Sequence, residues 1–84
     1  MHQKADYVLD FRETITPIAL LKMTQVLREM KTSEVLEIVA NDPDTRTDVF
    51  KVIPASSCEL IGMEVSEKAE CYRILLKKIR HFWP

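Results

Sequence analysis

One glycine, Gly62, is all that this chain of 84 residues contains. That scarcity excludes a glycine-rich loop that cradles phosphates, because such a loop needs several residues able to bring backbone N–H groups close to an anion. Histidine is almost as scarce, with only His2 and His81 near the two ends of the sequence. The two cysteines, Cys58 and Cys71, form no Cys-x-x-Cys pair and no Cys/His cluster, so neither zinc nor any other metal or cofactor is expected. A disulfide between them stays open. Low cysteine content and the lack of a secretory leader point to a reducing cytoplasm. No apolar run approaches the roughly 20 residues that a membrane span needs. Nor is there an excess of charge: 12 Lys and Arg face 13 Asp and Glu, a net charge of −1, which gives no general pull toward nucleic acid or membrane. Repeats, low-complexity stretches and linkers are also missing, so residues 1–84 read as one domain.

What is present is patterned. Apolar residues make up 46% of the chain, enough for one core. Residues 7–11 alternate, with Tyr7, Leu9 and Phe11 on one face and Val8 and Asp10 on the other, which predicts a half-buried strand. Thr16-Pro17 then opens a helix expected over 17–31. Thr16 suits the N-cap and Pro17 the first helical position, where a missing N–H costs nothing. Leu20, Met23, Leu27 and Met30 recur at helical spacing, with Lys22, Gln25 and Glu29 on the other side. The helix runs into polar residues without a glycine stop. A second strand is expected over 35–40, and Asn41-Asp42-Pro43 marks a turn into a second helix over 44–54, ended by Pro54. A third strand over 59–65 and a fourth over 70–78 form a hairpin, with Gly62 expected at a bulge or a close approach. The order is βαβαββ. It predicts an α/β two-layer sandwich: a four-stranded mixed sheet with two helices on one face.

This layout resembles the TusA/SirA-like family of small sulfur carriers. The residues that carry the resemblance are Thr16-Pro17-Ile18-Ala19 at the first helix start, Asn41-Asp42-Pro43 with Asp48 after the second strand, Leu60, and the closing run Tyr72-Arg73-Ile74-Leu75-Leu76-Lys77. The likeness extends from Tyr7 to Lys78. The family has Cys-Pro-x-Pro at the first of these places. Here Thr16 stands for the cysteine and Ala19 for the second proline, while Thr24-Gln25 stands where a basic pair is common and Glu13 where a glycine is usual. The resemblance implies the same sandwich fold and a place in sulfur relay, tRNA thiolation or related sulfur metabolism, through contact with another relay protein. It implies sulfurtransferase chemistry only for members that keep the cysteine.

A carrier cysteine benefits from a helix start because unpaired N–H groups and the positive end of the helix dipole stabilise a thiolate or persulfide anion. A threonine hydroxyl stays neutral and forms no persulfide. No catalytic residue is therefore expected at Thr16; with Pro17 and Ile18 it is expected to bind a partner. Cys58, read as lying in the loop before the third strand, is the alternative carrier. Asp42 and Asp48 are read as turn and helix-surface residues, and no Ser-His-Asp order appears. The tail holds Lys77, Lys78, Arg80 and His81 beside Phe82 and Trp83. Phe82 and Trp83 are expected either to cover apolar surface, on their own chain or in a homodimer, or to dock on a partner. An RNA-binding module is the competing expectation, since aromatic residues stack on bases and cations meet phosphates.

Overall fold

The computed structural model describes residues 5–13, 16–53, 57–66, 68 and 70–80, with the backbone alone at Thr16 and Arg46. The elements are β1 (Tyr7–Asp10), α1 (Thr16–Glu29), β2 (Val35–Ala40), α2 (Pro43–Val52), β3 (Cys58–Ser66) and β4 (Cys71–Lys78). The expected order holds. One boundary shift matters: α1 takes in Thr16 as its first residue and Pro17 as its second, so Thr16 is not the flanking cap. Pro17 still sits in the first turn, where helical N–H groups have no partner inside the helix.

The strands lie in the order β1-β2-β4-β3. β1 and β2 are parallel, with Tyr7 opposite Leu36 and Asp10 opposite Val39. β4 runs antiparallel to both of its neighbours, β2 and β3. A short helical crossover favours parallel pairing of the two strands it joins. β1 and β2 pair in that way, but β4 separates β2 from β3. The reason is burial. Ile74, Leu76 and Lys78 of β4 are all buried, whereas β3 carries exposed Leu60, Ile61 and Val65, so β4 takes the inner place and β3 the edge.

Side-chain alternation sorts the sheet into two faces. Leu36, Ile38 and Ala40 of β2 and Ile74 and Leu76 of β4 join Ala19, Met23, Leu27 and Met30 of α1 and Val49 of α2 in one core. Both helices therefore cover the same face. The other face carries Val8, Asp10, Glu37, Val39, Cys71, Arg73, Leu75 and Lys77. Across it Arg73 pairs with Glu37, and with Glu64 at 3.5 Å. β3 bulges between Leu60 and Gly62, and a Cβ at Gly62 would lie 3.2 Å from Leu75 Cδ1. Gly62 thus serves both expected purposes: the bulge, and room for Leu75 to lie across it.

Candidate functional site

Two parallel neighbouring strands deliver their C-terminal ends to one edge of the sheet, and a helix starts after each. At β1 the handover is tightly held. Phe11 is buried and its N–H donates to the Val39 carbonyl at 2.7 Å, continuing the ladder one residue beyond the strand. Arg12 grips Asp10 with its backbone N–H at 3.1 Å, Nε at 2.9 Å and a terminal guanidinium nitrogen at 2.7 Å. These bonds hold the Asp10 carboxyl below its ordinary pKa, although the pair is solvent-exposed. At β2 the handover uses Asp42 as the N-cap of α2: its Oδ1 accepts from the Asp44 N–H at 2.8 Å and its carbonyl from the Thr45 N–H at 3.1 Å. The Tyr72 hydroxyl also donates to the Asp42 carbonyl and ties β4 to the same edge.

The first two turns of α1 present Pro17, Ile18 and Leu21 to solvent, with Ile18 49% and Leu21 60% exposed. Ala19 and Met23, on the opposite side, are fully buried. Sequence reasoning picked out Pro17 and Ile18 but passed over Leu21. The available signal was spacing: Leu21 follows Ile18 by three residues on the side shared with Lys22 and Gln25, where a helix of a small domain is normally polar. The first-turn N–H groups of α1, absent at Pro17, have no partner within the helix itself, as at any helix start.

The two cysteines fall at opposite ends of the sheet. Cys58 is not a loop residue as expected. It is the first residue of β3, opposite Lys78 in the ladder and only 7% exposed. Burial pushes its thiol pKa up, and the positive charge of Lys78 offsets part of that rise. Strand pairing with β4 continues down to this row, which leaves no loop for Cys58 to occupy. Cys71 begins β4, opposite Ser66, at the edge where α1 starts. It is half-buried and lines an open cavity of about 340 Å³ with Val65, Ser66, Glu70 and Tyr72. It also lies within electrostatic reach of two cations. The Arg12 pKa is raised mainly by Asp10 and the Arg73 pKa mainly by Glu37, and Cys71 adds a smaller push to each.

Asp48 is half-buried on α2. Phe82 and Trp83 lie outside the described residues. Among the described residues no group of His, Cys, Asp or Glu is arranged to hold a metal ion, and no helix is long and apolar enough to cross a membrane.

Residues 7–78 match the sequence profile of the family described as Sulfurtransferase TusA. A relative named "Putative sulfur carrier protein", from Archaeoglobus fulgidus, is 27% identical over 73 residues, which cover 87% of this chain and 97% of that protein.

Proposed function

The chain belongs to the sulfurtransferase TusA family, and from that premise we propose that it serves a sulfur relay by binding another relay protein at the start of α1, without forming a persulfide at Thr16. The carrying observation is the combination found there. Thr16 opens a helix whose next outward side chains, Pro17, Ile18 and Leu21, form an exposed apolar patch. Apolar side chains exposed together on a small domain are what a protein partner buries. The helix start also carries the positive end of the helix dipole, which would favour an anionic group on the partner. It holds no sulfur to accept or pass on. Thr16 contributes a hydroxyl, which has no route to an S–S bond.

Two other readings are weaker. Cys58 as the carrier would need a partner to reach a thiol that is buried in the sheet and whose pKa is raised. RNA binding has no excess of positive charge behind it, with 12 Lys and Arg against 13 Asp and Glu, and Arg12 and Arg73 are already paired with Asp10, Glu37 and Glu64. The proposal is tested by titrating the protein against a cysteine desulfurase, with Ile18→Asp and Leu21→Asp as probes. Loss of binding in both variants with thermal stability unchanged supports the patch. Binding that neither variant alters removes it.

A further inference from the structure

The sheet ends in two unlike edges. β1 has four residues, the last of them Asp10 in its pair with Arg12. β3 has nine, contains neither proline nor lysine, and among the described residues pairs only with β4. Alternate backbone N–H and C=O groups of β3 therefore point away from the sheet. An edge of that length is a template for a further strand, which proteins commonly block with a proline, a lysine or a very short strand.

The ladder with β4 assigns the β3 side chains to faces. Leu60 lies opposite Leu76, Met63 opposite Ile74 and Val65 opposite Tyr72, on the helix side. Gly62 lies opposite Leu75 and Glu64 opposite Arg73, on the helix-free side. Ile61, the extra residue of the bulge, precedes Gly62 and by alternation takes the helix side. The two helices leave this strip uncovered: Val65 is 71% and Ile61 36% exposed, and Met63 is half-buried. The acidic residues of the edge are balanced from within the sheet. Glu64 meets Arg73 at 3.5 Å, and Glu59 lies opposite Lys77.

We propose that two copies of this chain join through β3, antiparallel about a two-fold axis at Met63, into one continuous sheet. A two-fold axis perpendicular to the sheet keeps each residue on its own face, so only residues of one face can oppose each other. That rule and the charges select the register. An axis at Glu64 would set the two Glu64 carboxylates directly opposite, which destabilises a ladder. An axis at Ile61 or Gly62 would set Leu60 against a residue of the other face, Gly62 or Glu64. An axis at Val65 would leave almost no strand to pair before Ser66, where β3 ends. The axis at Met63 sets Met63 against Met63, Ile61 against Val65 and Gly62 against Glu64. Apolar side chains then meet along the helix side, and each Glu64 lies across from a glycine. β3 and β1 are opposite edges of the sheet, so this contact is separate from the patch at the start of α1. The paired stretch is short, which places the contact among small interfaces, below about 1,200 Å². The dimer is therefore one that rising concentration fills.

Sedimentation equilibrium should show monomer giving way to dimer as concentration rises. Val65→Lys should weaken the dimer tenfold or more, whereas Val8→Lys, on the other edge, should leave it unchanged. Circular dichroism of each variant confirms that the fold is kept. Disulfide trapping tests the axis in a Cys71→Ser background, which should not crosslink by itself. There Met63→Cys should form a covalent dimer on air oxidation, because directly opposed residues have Cα atoms about 4.5–5.5 Å apart, within disulfide range. Val65→Cys should not, since the two Val65 positions lie about 13 Å apart along the strands. A protein that stays monomeric up to about 1 mM overturns the proposal and leaves the edge to a different chain. A dimer that Val65→Lys leaves unchanged overturns it as well. Crosslinking of Val65→Cys in preference to Met63→Cys overturns it by assigning another register.

Discussion

The two ends of the sheet are built from the same strands and have opposite characters. At the end where β2 begins and β4 finishes, the terminal strand residues Val35, Cys58 and Lys78 are all buried. Lys78, 1% exposed, sends its ammonium to the carbonyls of Leu27 and Met30 at the C-terminus of α1, where a cation also meets the negative end of the helix dipole. Its backbone carbonyl accepts from Ser33 at 2.7 Å and its N–H donates to Glu34 at 3.0 Å, and Ser33 turns with φ 79°. One lysine thus does what a glycine stop does in other helices. At the end where β1 and β2 finish, two helix starts, an exposed apolar patch and a cavity with a half-buried thiol face outward. The comparison teaches a division of labour: the closed end fixes α1 in place, and the open end carries the exposed patch to which the proposal assigns partner binding.

The largest effect should come from breaking the closed end. Lys78→Met keeps most of the volume but strips two buried carbonyls of their donor, which costs about 1–3 kcal/mol. A domain of this size loses about 4–8 °C in melting temperature for each kcal/mol, so thermal denaturation followed by circular dichroism reads the change easily. If Lys78→Met melts with the wild type, the lysine is not what holds α1. The reverse signature belongs to the open end. Ile18→Asp or Leu21→Asp should change stability by less than about 0.5 kcal/mol, as exposed positions do, yet weaken partner binding by tenfold or more, the scale of an interface anchor.

Much of this division was legible in the sequence, and the omissions have physical causes. Element order and the two-face alternation followed from periodicity, and the resemblance located the α1 start. Lys78 was misread as part of a basic tail because a lysine reads as solvent-facing. Its position as the fourth member of the series Tyr72, Ile74, Leu76, Lys78 was the clue to its burial. The place of β4 inside the sheet was not legible, because a hairpin's pattern does not state which strand is inner. Cys58 was misplaced by one row, since a small apolar residue at a strand start carries no strong local preference.

The cysteines sharpen the comparison with a smaller effect. A small thiol reagent should modify Cys71 well before Cys58 in the native protein, with Cys71→Ser removing the fast phase. Equal rates would mean that the closed end opens readily. The smallest effect is a pH dependence. The Cys58 thiol pKa is raised in the folded state above its ordinary value of 9.0, with burial the main cause. The unfolded chain therefore ionises first, and the stability that this group contributes is present below pH 9 and declines as pH rises through the folded pKa. Denaturant midpoints measured on both sides of pH 9 should show this decline in the wild type and less of it in Cys58→Ala. An equal decline in both proteins would assign it to other groups.

The most direct measurement is intact-protein mass spectrometry after incubation with a cysteine desulfurase and cysteine, comparing the wild type with Thr16→Cys. With the open end acting as a binding surface that carries no sulfur, the wild-type mass stays unchanged, while Thr16→Cys gains sulfur that a reductant removes, because the helix start lowers a thiol pKa. A wild-type protein that gains reductant-labile sulfur, at Cys71 or Cys58, would contradict the account.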